Sequence, residues 1–277
     1  MISHGYPKIA IMQPTFLPWQ GYFSLIDSVD VFVFLDDVQF VRRSFHHRNR
    51  LFVAPDRVGW VSLPVEHGGV RQTLLDSRVM YDPRFVRKTR ACLEHVYRRS
   101  SFFEIVYDKI FEPMFRKESE KLSEININLI ERISSLMGIG RKFLRSSDIC
   151  VEGVRSKRII NILLSLGAGG YISAAGSYDY MAADGLFPTA AMPVVFQDFE
   201  PQIYSQRTAS TFVPYLSVID ALFEVGPDAT RSLIRKGNKP FLPWEMREAL
   251  GREVCDGGDV GDWSSVDDFG SGNPHQK

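Results

Sequence analysis

The sequence has few cysteines and no net charge, and each shortage excludes a class of protein. Its 277 residues include three cysteines, Cys92, Cys150 and Cys255, which lie far apart without a CxxC pair. Neither a zinc ribbon nor a disulfide framework is therefore predicted. Lysine plus arginine equals aspartate plus glutamate at 33 each, so the formal net charge is zero. This balance argues against binding through broad electrostatic attraction, and we expect no nucleic-acid partner.

Long apolar runs and metal-ligand motifs are also missing. No uninterrupted apolar run approaches the roughly 20 residues that span a bilayer. The first residues, MISHGYPKIAIM, lack the basic flank and apolar segment of a signal peptide. We therefore expect a cytoplasmic protein with no membrane insertion. A metal site built from Asp36, Asp37 and His47 is conceivable, but no HExxH or comparable spacing supports one, and no metal is predicted.

The stretch from Lys8 to Asp37 carries the clearest structural pattern. Apolar runs over Lys8–Met12 and Val31–Leu35 flank a segment, Trp19–Ser28, that has room for about three helical turns. A strand, a helix and a strand in such close succession predict a right-handed parallel crossover. Ligands of parallel sheets bind beyond the carboxyl ends of the strands, here Gln13 to Gly21 and Asp36 onward.

Later segments predict an α/β protein with a parallel-sheet core and a substantial helical layer or insertion. We expect the short apolar runs of the first 65 residues, including a strand over Trp60–Val65, to pair into one sheet. Helices are predicted from Pro83 to Met137, and strands at 142–146, 171–173 and 192–197. The predicted organisation is a single α/β domain over residues 1–255 with a helical insertion at about 83–137. Residues 256–277 are rich in glycine, aspartate and serine and are expected to be disordered.

The predicted helix after Pro83 has a strongly basic face. Its apolar positions follow helical spacing, and the remaining positions include Arg84, Arg87, Lys88 and Arg90. A solvated basic face is the favoured interpretation. The alternative is that one or two of these side chains turn inward and hold a substrate phosphate.

The segment PTFLPWQGYFSL, from Pro14 to Leu25, resembles the first strand-turn-helix of the HIGH-type nucleotidyltransferases and pantoate ligases. This likeness implies a relation to the HUP/nucleotidyltransferase-like Rossmann fold. In those enzymes two histidines bind triphosphate at the helix N-terminus. Here the corresponding residues are Trp19-Gln20-Gly21-Tyr22, which supply no imidazole, so the likeness supports a fold and not ATP chemistry.

Five blocks along the chain are similar to the WbqC-like family. They are Met12-Gln13-Pro14 with Pro18-Trp19 and Gly21-Tyr22-Phe23, then Asp36-Asp37-Val38, Arg48-Asn49-Arg50, Tyr204 with Gln206, and Leu216-Ser217-Val218-Ile219-Asp220. The resemblance implies a link to surface-polysaccharide and lipopolysaccharide gene clusters, where acting on an amino sugar is plausible. The chain departs from the family where Phe45-His46-His47 replaces a frequent Trp-Ile-Asn, and two imidazoles take its place.

The candidate catalytic residues are Asp36, Asp37 and His47. Two carboxylates at a strand's end could serve as base and as acceptor for a sugar hydroxyl or amine, or they could simply cap a turn. His46 and His47 face opposite ways in an extended segment, so one of them is expected to meet the site, and we favour His47 as general base.

The candidate substrate-binding residues surround this centre. Arg48 and Arg50 point the same way in a strand and could grip a diphosphate or carboxylate, or form salt bridges to Asp36 and Asp37. The opening turn is expected to form a wall of the pocket, and a polar and aromatic set would suit a sugar. The remaining predicted binding residues are Gln13, Trp19, Tyr22, Asn49, Tyr171, Ser173, Tyr178, Tyr204 and Gln206.

The leading hypothesis is an enzyme that modifies an amino sugar by N-acyl or aminoacyl transfer. Its expected partners are small molecules, a nucleotide-linked amino sugar as acceptor and an acyl or aminoacyl donor, and the sequence assigns no cofactor. Two alternatives remain open, a non-catalytic nucleotide-sugar-binding module and a degenerate nucleotidyltransferase that uses ATP.

Overall fold

The computed structural model describes residues 5–66, 68–69, 71–117, 119–188, 190 and 192–256. The centre of the fold is a six-stranded sheet. The strand order is β5-β2-β1-β6-β7-β8. All neighbouring pairs are parallel except β7 and β8. The strands are β1 (Lys8–Met12), β2 (Val31–Phe34), β5 (Lys142–Arg145), β6 (Gly170–Ser173), β7 (Val194–Phe196) and β8 (Leu242–Pro243).

The predicted parallel pairing of the first two strands across a helix is confirmed. Helix α1 (Gln20–Asp27) joins β1 to β2, and the two strands pair in parallel with Ile9 opposite Val31. Strand β6 occupies the other edge of β1, so the chain changes direction across the sheet between β1 and β6.

Side chains from the two faces of this sheet enter two separate cores. Ala10, Phe32 and Phe34 point into the larger core, whereas Ile9 and Ile11, with their β2 neighbours, point into the smaller one. This alternation follows from the two-residue period of a strand. Because both faces are covered, the strands read as continuous apolar runs, as parallel strands usually do.

The helices after Pro83 form a layer that contributes to the larger core. Asp82 caps the N-terminus of helix α2 (Pro83–Tyr97), since its carboxylate accepts a hydrogen bond from the Arg84 amide. Helix α2 is followed by α3 (Phe103–Val106), a π-helical turn (Tyr107–Phe111) and α4 (Glu112–Phe115), and α5 (Leu122–Leu136) completes the layer. The prediction of one domain with this layer as an insertion stays a prediction.

One prediction about the sheet is wrong. Strands β3 (Arg48–Ala54) and β4 (Arg57–Ser62) form a separate antiparallel hairpin instead of joining the main sheet. Both edges of β1 are already occupied by β2 and β6, and the short turn between β3 and β4 lets them pair with each other. The second strand also begins and ends earlier than the predicted Trp60–Val65.

The carboxyl-terminal half supplies the remaining helices. These are α6 (Arg155–Ser165), α7 (Tyr178–Asp184), α8 (Val218–Gly237) and α9 (Trp244–Asp256). Helix α8 contains a kink at Gly226, whose φ of 81° is favoured by glycine. The tail predicted to be disordered lies outside the described residues, apart from Asp256 at the end of α9.

Candidate functional site

Asp36 and Asp37 lie beyond the end of β2 and meet the residues that follow β5. The Asp36 carboxylate, fully buried, accepts hydrogen bonds from the Ser147 amide at 3.0 Å and the Ser147 hydroxyl at 2.8 Å. The Ser146 hydroxyl lies 3.1 Å from Asp36 Oδ1 and 2.7 Å from Asp37 Oδ1. Asp37 also forms an ion pair with Arg158 of α6. These contacts fix the ends of β2 and β5 to each other, and a catalytic role for either carboxylate stays a prediction.

His46 lies beyond the end of β1, where it contacts Gln13. Its Nδ1 accepts a hydrogen bond from the Val41 amide at 3.2 Å, so Nε2 carries the proton and donates to Gln13 Oε1 at 2.6 Å. The ring is 3% exposed. Burial, with a smaller contribution from His47, lowers the pKa of His46 to about 4. His46 is therefore a neutral structural histidine that joins the loop to the first strand.

This burial predicts an acid-dependent loss of stability. The folded-state pKa of His46 is about 4, below its ordinary value of 6.5, so the unfolded chain takes up the proton first as the pH falls. The stabilisation is complete above pH 6.5 and is lost as the pH falls toward 4, by on the order of 3 kcal/mol. Urea unfolding of wild type and His46→Gln between pH 7 and 4.5 should show a steeper decline for wild type. His95→Gln, at an exposed histidine, is the control; equal slopes for wild type and His46→Gln would contradict the assignment.

His47 faces the opposite way and lines an open cleft. Its Nδ1–H donates to the Leu63 carbonyl at 3.0 Å, and its Nε2 accepts from the Arg43 amide at 3.1 Å. Burial lowers the pKa of His47, and the nearby Arg48 and Arg42 guanidinium groups lower it further against the opposing effect of the Leu63 carbonyl. His47 is therefore a neutral imidazole near neutral pH.

The cleft beside His47, called the His47 cleft below, has a volume of about 520 Å³. This size is within the range of small-molecule sites. It lies where the loop after β2 meets the end of β4 and the start of α2. Its walls combine aromatic and aliphatic surface with charged and amide groups, including Phe40, Arg42, Leu63, Glu66, Gln72 and Phe85. The arrangement suits a polar ligand with one apolar face.

The predicted Arg-Asn-Arg block forms the start of β3. The Arg48 guanidinium lies over the Trp60 ring at 4.1 Å from its centroid, and Arg50 donates to the Tyr215 carbonyl at 3.4 Å. Asn49, which is 3% exposed, donates to the Phe16 and Leu17 carbonyls at 3.1 and 2.9 Å. Arg158, and not an arginine of this block, pairs with Asp37. Asn49 thus anchors the opening turn to the hairpin.

The start of α1 is covered by aromatic side chains. Trp19 packs against Phe199 and Tyr215, each with ring centroids 5.4 Å apart. A Cβ added at Gly21 would lie 2.3 Å from the Trp19 ring, so the indole rests on the helix backbone. Tyr22 is buried and donates to the Gln13 carbonyl at 3.1 Å. The cavity next to Trp19 measures about 10 Å³, far less than a triphosphate needs.

The other predicted binding residues lie away from the lining of the His47 cleft. Tyr171 and Tyr178 belong to the smaller core, and the buried Ser173 donates to the Tyr171 hydroxyl at 3.2 Å. Tyr204 and Gln206 contact the buried carboxylate of Asp220, which the Tyr204 hydroxyl approaches to 2.6 Å. Their predicted part in binding stays a prediction.

Several residues of the cleft were not predicted from the sequence. Glu66 and Gln72 fall in or beside a stretch with no periodic pattern, and Arg42 and Phe40 lie in a loop. Ser146 and Ser147, which bind the paired carboxylates, have a weak signal, since two hydroxyl residues stand at the end of the strand predicted over 142–146. The described residues contain no cluster of three or more His, Cys, Asp or Glu side chains arranged to hold a metal ion. Across the same part of the chain, none of the helices has both the length and the apolar character required to cross a bilayer.

Comparisons with known proteins place this geometry in a family. The sequence model of the WbqC-like protein family matches residues 13–232. The chain is also similar to the uncharacterized protein Rv1507c of Mycobacterium tuberculosis, with 27% identity over 227 residues that cover 80% of this chain and 95% of the relative. No solved structure matches. The matched region includes the opening turn, the His47 cleft and Asp220 with its partners Tyr204 and Gln206.

Proposed function

The chain belongs to the WbqC-like protein family, and from this premise we propose that it is an enzyme that forms an amide on an amino sugar. The acceptor is a nucleotide-linked amino sugar, and the donor carries an activated acyl or aminoacyl group. The product serves surface-polysaccharide or lipopolysaccharide biosynthesis, and the use of nucleotide-linked substrates is consistent with a cytoplasmic enzyme. The observation that carries the proposal is a neutral imidazole, His47, in the wall of a cleft of about 520 Å³.

His47 has the properties of a general base for this reaction. The bond between Nδ1–H and the Leu63 carbonyl fixes the tautomer, so Nε2 is the unprotonated, basic nitrogen. The sugar amine attacks the acyl carbonyl carbon, a C–N bond forms, and the bond to the donor's leaving group breaks. The proton lost by the nitrogen passes to Nε2 of His47 and then to the leaving group.

Arg43 must release Nε2 before this proton transfer. The Arg43 amide donates to that nitrogen at 3.1 Å, and Arg43 has a φ of 58°, which non-glycine residues rarely adopt. A strained backbone conformation costs on the order of 1–3 kcal/mol. A shift of this exposed turn on ligand binding would relieve the strain and expose Nε2 to the amine.

A non-catalytic binding module is the second candidate function. It is favoured by the same two hydrogen bonds, because both ring nitrogens of His47 already have protein partners. A module predicts that the ligand binds with unchanged mass and that replacing His47 alters affinity alone. The degenerate nucleotidyltransferase has less support, since Trp19 covers the start of α1 and the cavity there measures about 10 Å³.

A mass measurement separates these functions. The protein is incubated with uridine diphosphate glucosamine and a panel of acyl and aminoacyl thioesters and adenylates, and the sugar nucleotide is analysed by mass spectrometry. We expect its mass to rise by that of the acyl group with at least one donor, without consumption of free ATP. Binding without any mass change would support the module, and release of pyrophosphate from ATP would support the nucleotidyltransferase.

A further inference from the structure

A second groove adjoins the His47 cleft along the face of the hairpin that meets α2. It lies between the β3–β4 hairpin and the first turns of α2 and has a volume of about 580 Å³. Ser62 and Phe85 line both spaces, so the groove and the cleft share a boundary. A ligand longer than a monosaccharide could occupy both at once.

The charged side chains that line this groove are all positive. Arg84 and Lys88 are four residues apart on α2 and therefore share a face of the helix. Arg57 reaches the same groove from the start of β4. No aspartate or glutamate lines the groove, and within the described part of the chain none of these three cations forms an ion pair. Three unneutralised cations with no acid between them favour a dianionic ligand.

Two of the three cations, Arg57 and Lys88, act on the same position of the groove. The Cys92 thiol lies in its wall, and burial raises the pKa of this thiol while Lys88 and Arg57 act in the opposite direction. Cations from two different elements therefore act on the same position. Trp60, a residue that is 40% exposed, adds an aromatic surface on the hairpin side. Cationic and aromatic groups side by side are suited to a phosphorylated sugar or nucleoside.

We propose that this basic groove is a diphosphate subsite, in which Arg57, Arg84 and Lys88 bind the diphosphate of a nucleotide-linked sugar and so direct its sugar into the His47 cleft. The subsite rests on the proposed function in that the diphosphate and the acylated amine belong to the same substrate. The basic face of α2 is then divided, with Arg84 and Lys88 turned toward ligand, Arg87 exposed to solvent and Arg90 paired with Glu112.

Calorimetry on two matched triple variants tests the subsite. Arg57→Gln/Arg84→Gln/Lys88→Gln removes the three groove cations, and Arg87→Gln/Arg98→Gln/Lys109→Gln removes three exposed cations outside the lining of the groove. Both lower the net charge equally. We expect the groove triple to bind inorganic pyrophosphate and uridine diphosphate glucosamine about 30-fold more weakly than wild type, since charge-assisted hydrogen bonds are lost, and the control triple to bind like wild type. Equal affinities of the two triples, or no binding of pyrophosphate by wild type, would overturn the subsite.

Cys92 provides a readout that needs neither a variant nor turnover. A diphosphate in the groove would cover this thiol and offset the cations near it, so pyrophosphate should slow alkylation of Cys92 by iodoacetamide. The exposed Cys150 lies outside the groove lining and should react at an unchanged rate. Peptide mapping by mass spectrometry follows both thiols in one sample. Equal labelling of Cys92 with and without saturating pyrophosphate would contradict the proposed position of the anion.

The subsite and the proposed reaction can fail separately. If uridine diphosphate glucosamine binds in a groove-dependent way and no donor yields product, the acyl transfer fails and the subsite stands. If acyl transfer occurs and the groove triple leaves its KM unchanged, the subsite fails and the reaction stands.

Discussion

Replacing His47 with glutamine is expected to lower the kcat of amide formation by about 100-fold or more, since a positioned general base contributes at least that factor. Glutamine can still donate to the Leu63 carbonyl but cannot accept the amine proton. The pKa of His47 is lowered by burial, so wild-type activity should persist below pH 6.5 and fall only as the ring becomes protonated at lower pH. In His47→Gln this fall should be absent. Initial rates between pH 5 and 9 measure both effects.

The matched control for this variant is His95→Gln. His95 is exposed on α2 and does not line the His47 cleft, so its replacement should leave kcat and the pH profile unchanged. Circular dichroism and thermal melting of His47→Gln exclude unfolding as the cause of a loss. A kcat within about threefold of wild type, with a changed Kd for the sugar nucleotide, would instead assign His47 to binding, because general-base removal costs far more than that.

Replacing Asp220 with alanine is expected to destabilise the fold by about 4 kcal/mol, because each buried donor that loses its acceptor costs roughly 1–3 kcal/mol. The carboxylate accepts hydrogen bonds from the Tyr97 hydroxyl at 2.7 Å, the Tyr204 hydroxyl at 2.6 Å and the Gln206 amide at 2.9 Å. Alanine removes this acceptor from the two tyrosine hydroxyls, whereas the Gln206 amide keeps the Val213 carbonyl at 3.0 Å. The melting temperature should fall by roughly 10 °C for a chain of this length. Asp228→Ala, at an exposed position of the same helix, is the control, and equal urea midpoints for wild type and Asp220→Ala would contradict the account.

The contribution of Asp220 to the free energy of unfolding also depends on pH. Burial is the largest influence and raises the pKa of Asp220, although its three hydrogen-bond donors oppose it. The unfolded chain therefore loses the proton first as the pH rises, and this group's contribution to stability declines from its ordinary pKa of 3.8 up to its raised value in the folded protein. Asp220→Asn should lack that decline. Urea unfolding of both proteins at several pH values above 4 measures the difference.

Local patterns were sufficient to predict the parts of the fold that depend on neighbouring residues. The crossover from Lys8 to Phe34 follows from two apolar runs around a helical segment, and the structure has its elements almost at the predicted bounds. The pairing of the β3–β4 hairpin was predicted wrongly because strand composition does not say which edge a strand will meet. That choice depends on β6, which reaches β1 from far along the chain.

For the candidate site, even less could be predicted from local sequence patterns. His46 and His47 were expected to face opposite ways, but only the structure identifies Gln13 as the partner of the first and the cleft as the surroundings of the second. Asp36 and Asp37 are bound by Ser146 and Ser147, about 110 residues away in sequence. Contacts at that separation leave no periodic signal in one sequence. The sequence therefore predicted a reactive group at His47, but it did not predict the residues that form the walls of the cleft.

The central claim is that the His47 cleft is the substrate site, and NMR of the histidine side chains during ligand titration tests it most directly. The protein has six histidines, and selective 13C labelling of their rings gives a separate signal for each. The signal that disappears in His47→Gln belongs to His47, and the signal that disappears in His95→Gln belongs to His95. Titration with uridine diphosphate glucosamine should shift the His47 resonances in proportion to the bound fraction measured by calorimetry and leave those of His95 in place. Saturable binding of the sugar nucleotide with the His47 resonances unmoved would contradict the assignment of this cleft as the substrate site.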